Sequence, residues 1–134
     1  FKYGDLYTPE VEERILAMLE PAYIRGLTLL GGEPFEPENQ RELVRLLRRV
    51  RAERPGKDVW CYTGYTYETD LLAPSRARCE ATDEMLSLID VLVDGEFVLA
   101  KRNISLSFRG SENQRLIDLA ETRRTGRLRL LPLR

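Results

Sequence analysis

Apolar residues recur along this chain in two alternating rhythms. Val11, Ile15, Met18 and Leu19 fall at i, i+4, i+7 and i+8, one face of an amphipathic helix. Thr8-Pro9-Glu10 ahead of them supplies a capping hydroxyl and a proline where no N–H is needed, and Pro21 closes the segment. Gly26-Leu27-Thr28-Leu29-Leu30 is then a short, mostly apolar run stopped by Gly31-Gly32, the pattern of a strand buried on both faces. Pro37 opens a second helix running toward Arg54, with Leu43, Leu46, Leu47 and Val50 inward. Its acids, Glu36 and Glu38, come early and its arginines, Arg48 to Arg54, come late, as the helix dipole favours.

Pro55-Gly56 ends that helix, and Asp58 to Thr63 reads as the next strand, closed by Gly64. Thr82 to Leu88 reads as another capped helix, and Asp90-Val91-Leu92-Val93-Asp94-Gly95 repeats the strand-then-glycine pattern. Three helix-then-strand cycles predict an α/β fold with a parallel sheet, either open or curled into part of a barrel. Between the regular elements, Tyr65 to Ala81 is polar and reads as a mobile connection, and Glu96 to Arg115 reads as loop. Arg115 to Glu121 is expected to form a last strand, with Thr125-Gly126-Arg127 turning into Leu128–Leu131. There is no internal repeat and no low-complexity tract.

Composition narrows the class. The 134 residues make one expected domain, 1–134, and 43% hydrophobic with 32% charged residues excludes disorder and fibrous repeats. Lys+Arg 21 against Asp+Glu 22 gives a formal charge of -1, which argues against direct nucleic-acid binding. No apolar run approaches the ~20 residues that span a bilayer, and the N-terminus carries no signal peptide, so a cytoplasmic protein with no membrane partner is expected. Histidine is absent, which removes the usual general base and the commonest metal ligand. Cys61 and Cys79 are too far apart in sequence to chelate as a pair. The first residue is Phe rather than Met, so a fragment is expected, with something preceding it.

Ligands of parallel sheets collect beyond the carboxyl ends of the strands. The first such end is Gly31-Gly32-Glu33-Pro34-Phe35. Two glycines let backbone approach a ligand closely, Glu33 adds a carboxylate and Pro34 stiffens the exit. The group suits an ammonium or sulfonium ligand; a tight strand-to-helix turn is the plainer reading, and no dinucleotide or phosphate-loop fingerprint is present. At the second end, Tyr62-Thr63-Gly64-Tyr65, a plain turn accounts for Thr63 and Gly64. At the third, Asp94 would bring a second carboxylate to the crevice of Glu33 if the strands are neighbours, which is costly unless a cation balances them; a turn cap is the alternative. Ser107 to Arg115 is dense in planar hydrogen-bonding groups, and Arg109 could clamp a carboxylate or simply sit in a solvated loop. Arg41, Arg45, Arg48, Arg49 and Arg51 read as a wet helix face without function. Cys61 reads as a small buried hydrophobe and Cys79 as a loop thiol with no evident partner.

Four stretches together carry a family resemblance. They are Gly26-Leu-Thr-Leu-Leu-Gly-Gly-Glu-Pro-Phe35, Arg54-Pro-Gly-Lys-Asp-Val-Trp-Cys-Tyr-Thr-Gly-Tyr65, Val91-Leu-Val-Asp-Gly-Glu-Phe97 and Phe108-Arg-Gly-Ser-Glu-Asn-Gln-Arg115. In order and spacing the chain resembles, over nearly its whole length, the activating proteins of anaerobic ribonucleoside-triphosphate reductase, which are radical S-adenosylmethionine enzymes. The Gly-Gly-Glu piece is shared by many radical enzymes; the Asp-Gly strand end followed by Arg-Gly-Ser-x-Asn-Gln is the more specific part.

The resemblance implies a partial, incomplete TIM-like barrel with helices outside, a [4Fe-4S] cluster and S-adenosylmethionine. Its chemistry is reductive cleavage of the sulfonium to methionine and a 5′-deoxyadenosyl radical, which takes a hydrogen atom from a glycine of the large reductase subunit. The electron comes from a donor such as flavodoxin or ferredoxin. By the same resemblance the cofactor-binding residues are Gly31, Gly32, Glu33, Pro34, Thr63, Asp94, Arg109 and Asn113. Gly31, Gly32 and Glu33 would receive the methionyl ammonium, and the Arg109–Asn113 loop would close the site or dock the reductase. The family's three-cysteine cluster loop is not in this sequence, and its ligands are expected upstream of Phe1, so the chain alone is expected to be inactive. Two alternatives stay open: activation of another glycyl-radical protein or a small molecule, and a cluster-free α/β module that binds a ligand or partner.

Overall fold

The computed structural model describes residues 8–96 and 114–132. In chain order these form helix α1 (Pro9–Met18), strand β1 (Gly26–Leu29), helix α2 (Pro37–Glu53), strand β2 (Asp58–Tyr62), a π-helical turn (Tyr67–Leu72), helix α3 (Thr82–Ser87), strand β3 (Val91–Asp94), strand β4 (Arg115–Asp118) and helix α4 (Leu119–Thr125). The sheet is mixed and open, in the order β1-β2-β3-β4. Strands β1, β2 and β3 run parallel, as the alternating pattern predicts, but β4 is antiparallel to β3, so the sheet is not purely parallel.

Register builds the core. Leu29, Cys61, Leu92 and Ile117 are successive partners across all four strands, one unbroken apolar row. That row packs with Leu16 and Leu19 of the first helical segment, with Leu43, Leu46, Leu47 and Val50 of α2, and with Met85 and Leu119. Each such side chain contributes roughly 1.5–3 kcal/mol when removed from water. The inward face of α2 is the predicted one. On α1 the face is rolled: Leu16 is buried, whereas Met18, expected inside, is 58% exposed. Strand β1, expected to be buried on both faces, is instead an edge strand with Thr28 exposed, and it is β3 that is buried along its whole length. A Cβ on Gly26 would lie 2.1 Å from the Asp58 carbonyl oxygen, so the entry of β1 beside β2 admits glycine alone.

The arginines of α2 are more than a wet face. Arg49 bridges Glu12 and Glu13 of α1 at 2.7 and 2.8 Å, Arg48 pairs with Glu84 of α3, and Arg51 donates to the Leu88 carbonyl. These ties set how α2 lies between its neighbours, although exposed pairs are worth only about 0–1 kcal/mol each.

The Tyr65–Ala81 segment is packed rather than mobile. Leu71 and Ala77 are fully buried, and buried Gln40 of α2 donates to the carbonyls of Phe35 and Ala77, both at 2.7 Å. The Gln40 carbonyl oxygen in turn accepts from Thr82 at 2.6 Å and from the Cys79 thiol at 3.4 Å, so Cys79 does have a partner. Thr82 consequently is not the cap of α3; Ala81 precedes that helix and no side chain caps it. The last expected strand also ends early. Asp118 accepts the Glu121 N–H at 3.0 Å and starts α4 where the apolar run alone suggested continued strand. Most of the expected Glu96–Arg115 loop lies outside the described residues. Among those described, no helix is long and apolar enough to cross a membrane.

Candidate functional site

The carboxyl ends of β1, β2 and β3 meet at one crevice of about 230 Å³. Gly31, Glu33 and Pro34 reach it from β1, Tyr62, Thr63 and Gly64 from β2, and Gly95 from β3, with Gln114 at the entrance of β4. All three strand ends singled out in the sequence therefore contribute to its wall, the third through Gly95 rather than Asp94.

The β1 end is a left-handed turn. Gly31 and Gly32 both have φ of 59°, and Glu33 follows at φ 42°, among the described residues the positive-φ residue that is not glycine. A Cβ at Gly31 would meet nothing within 4 Å, so the demand for glycine there is conformational rather than steric. Left-handed backbone costs a side-chain-bearing residue roughly 1–2 kcal/mol, which Glu33 bears. The compensation is a set of hydrogen bonds. Glu33 Oε2 accepts from Thr63 Oγ1 at 2.7 Å and from the Phe35 N–H at 2.9 Å, while Oε1 accepts from the Gly64 N–H at 2.7 Å. The acid thus ties the first strand end to the second. Oε1, with one donor, retains capacity for another, of the kind an ammonium supplies.

The β3 end is held differently. Asp94 is only 1% exposed, and it is balanced from within the chain. Arg115, its register partner in β4, donates from Nε to Oδ1 at 2.9 Å and from Nη2 to Oδ2 at 2.5 Å. The Tyr67 N–H adds a third bond at 2.9 Å. The other edge of the guanidinium holds Glu68, and the Asp94 and Glu68 bonds raise the Arg115 pKa above its already high ordinary value. Asp94 is thus not among the groups that line the crevice, although its chain neighbour Gly95 is. Arg109 and Asn113 lie outside the described residues.

Four further residues, Asn39, Glu36, Tyr65 and Arg76, shape the site although the sequence assigns none of them a role in it. Asn39 donates to the carbonyls of Gly32 and Glu33. Tyr65 donates to Glu36, and Arg76 bonds both, so the β1 and β2 exits are clamped again outside the crevice. The Tyr65 bond holds the Glu36 carboxyl below its ordinary pKa, while burial raises that of the Tyr65 phenol. No local signal marks them, because each acts on a residue remote in sequence or on a main-chain carbonyl.

A thiolate set for an iron–sulfur cluster does not arise from the described residues. Cys61 is fully buried, and burial, aided by the charge of Glu33, pushes its thiol well above the ordinary value. It is the inert buried side chain the sequence suggests. Cys79 is bonded to Gln40 between the π-helical turn and α3. Among the described residues no three His, Cys, Asp or Glu side chains gather as a metal site.

Comparison with known proteins places this architecture. Residues 1–117 match the model of a 4Fe-4S single cluster domain. The chain is 41% identical over 114 residues to the anaerobic ribonucleoside-triphosphate reductase-activating protein of Vibrio cholerae, a match covering 83% of this chain and 68% of the relative. The protein of the same name from Escherichia coli K12 is 40% identical over 113 residues, with the same coverage. That of Enterobacteria phage T4 is 37% identical over 115 residues, or 84% of this chain and 65% of the relative. No solved structure matches. With this degree of identity across most of its length, the chain belongs to the family of anaerobic ribonucleoside-triphosphate reductase-activating proteins.

Proposed function

We propose that this chain is the S-adenosylmethionine-binding part of a radical S-adenosylmethionine oxidoreductase that activates anaerobic ribonucleotide reductase. In that reading, S-adenosylmethionine is cleaved reductively at a [4Fe-4S] cluster and a glycyl radical forms on the large reductase subunit. The enzyme would work in the cytoplasm with an electron donor such as flavodoxin or ferredoxin. Names of the relatives and the cluster-domain match support the reading. Since Cys61 and Cys79 do not fit a cluster, its ligands are proposed to precede Phe1 in the intact polypeptide, and residues 1–134 to be a single domain completed by that segment.

One observation carries the ligand assignment: a carboxylate built into a left-handed turn at the carboxyl ends of the parallel strands, fixed by three donors yet with acceptor capacity remaining. Glu33 would take the methionyl ammonium on Oε1. Gly31, Gly32 and Pro34 would shape the approach, and Thr63 would hold the far oxygen of the acid. Asp94, already neutralised by Arg115, would keep the β3 end and Gly95 at the crevice wall. Arg109 and Asn113 would close the site or meet the reductase. The open sheet would then be one section of an incomplete barrel, its helices on the outer face.

The intact polypeptide, reconstituted anaerobically, tests this. It should hold iron and sulfide, bind S-adenosylmethionine, and give a glycyl-radical resonance on the reductase only when both S-adenosylmethionine and reductant are present. An intact protein without three further cysteines, or without affinity for S-adenosylmethionine, would overturn the assignment. A radical formed on some other protein alone would redirect it to a neighbouring family.

A further inference from the structure

We infer that Asn39 of α2 is a positioning residue for the crevice, its side-chain amide holding the Gly31–Glu33 turn in the left-handed form that aims Glu33 at the β2 exit. Asn39 is 1% exposed and is not among the crevice-lining residues. Its Nδ2 donates to the Gly32 carbonyl at 2.7 Å and to the Glu33 carbonyl at 3.0 Å. Both hydrogens of one NH₂ group are thereby directed at consecutive carbonyls of the strained turn. The backbone that carries this amide is fixed in turn, because the Asn39 backbone N–H donates to the Glu36 carbonyl at 2.9 Å in the first turn of the helix.

The chemistry demanded at this position is narrow. A left-handed residue with a side chain tends to relax to ordinary backbone, and relaxation at Glu33 would swing its Cβ and take the carboxylate off Thr63 and Gly64. Asparagine presents two donors in a fork. Aspartate has the same shape but would set a negative charge against two carbonyl oxygens, and alanine offers nothing. The inference rests on the crevice being the S-adenosylmethionine site only for its functional consequence; the bracing itself is a property of the unliganded protein.

The test has two arms on the intact protein. In the first, without S-adenosylmethionine, amide hydrogen exchange is compared between wild type, Asn39→Ala and Asn39→Asp. The Gly64 and Phe35 amides, both donors to Glu33, should exchange about tenfold faster in the variants, the equivalent of one hydrogen bond. The Asp90 amide, which donates to Val59 in the sheet, should change little. A uniform acceleration, or an unchanged Gly64, overturns the inference. Should Asn39→Ala fail to fold, Asn39→Ser, which keeps one donor, carries the same comparison.

In the second arm, S-adenosylmethionine affinity should fall about tenfold in Asn39→Ala. It should be unaltered in Val44→Ala, which loosens the buried side of α2 without touching the turn. Equal losses in both variants overturn the positioning role. Should wild type itself not bind S-adenosylmethionine, the reading of the crevice fails while the exchange arm still decides the role of Asn39.

Discussion

The hydroxyl of Thr63 donates to the carboxylate of Glu33 at 2.7 Å, joining the ends of two neighbouring parallel strands through side chains thirty positions apart. The same hydroxyl oxygen accepts the Tyr65 N–H at 3.1 Å, so the bond also fixes the path by which the chain leaves β2. Thr63 is 4% exposed, and its hydroxyl serves as both donor and acceptor. Replacing it by valine keeps the shape and removes both bonds. Thr63→Val should lower stability by about 1–3 kcal/mol, measured by urea denaturation. Glu33→Ala should weaken S-adenosylmethionine binding by about 1.5–3 kcal/mol, as for one lost charged hydrogen bond. Unaltered affinity in Glu33→Ala, read by equilibrium dialysis, would count against the ligand role.

Gly32 sits at φ 59° within the turn. A β-branched residue there meets the backbone penalty in full, so Gly32→Val should cost about 1–2 kcal/mol of stability and more in binding, since the turn would carry Glu33 with it. Gly32→Asn, which tolerates left-handed backbone better, should recover much of the stability. Equal melting temperatures for the two variants would contradict the conformational explanation.

Asp94 and Arg115 form a buried-to-surface pair whose partners are unequal: side-chain exposure is 1% for the acid and 30% for the arginine. Removing the arginine strands a buried carboxylate, so Arg115→Met should destabilise by about 3–5 kcal/mol. Asp94→Asn combined with Arg115→Met removes both charges and should be far milder than the sum of the single changes. A double-mutant cycle by chemical denaturation measures the coupling; additivity would mean that the pair is not the anchor of the β3 end.

Acid should loosen the outer clamp. Glu36 has its pKa held below the ordinary 4.5, chiefly by the Tyr65 hydroxyl and further by Arg76. A carboxyl with a depressed folded-state pKa contributes stability that is complete above the unfolded value and lost as pH falls through the folded one. Tyr65→Phe should therefore be less stable than wild type at neutral pH, with the gap shrinking as pH drops below about 4.5. A gap independent of pH, in denaturation curves taken across that range, would assign the effect to packing of the ring instead.

The readable parts of the fold were those in which neighbours in sequence are neighbours in space. The inward face of α2 follows from 3.6-residue periodicity, and the parallel β1–β2–β3 core from apolar runs closed by glycine. Met18, placed inward by periodicity, lies outside because Leu16 is the residue turned to the core. The two stand two positions and so about 200° apart around the helix, and the angle at which α1 meets α2 decides which side is covered. The Tyr65–Ala81 segment looked like loose connection because its anchors, Leu71, Ala77 and the amide of Gln40, come together only when α2 is in place. Asp118 ended β4 early because a cap signal lay within an apolar run and took precedence over it.

The sequence by itself determined where the crevice lies and which acid marks it, since Gly31-Gly32-Glu33 and Thr63-Gly64 must follow their strands whatever the packing. Tertiary structure alone decided how the carboxylates are used. Glu33 is braced by donors from β2 and retains an open acceptor site, whereas Asp94 is matched to Arg115 by the antiparallel return of β4. That distinction depends on strand direction and register, which bring an acid and a base 21 residues apart within 2.5 Å of each other. Coulombic pairing of that kind is set by distance through space, and residue order along the chain does not encode it.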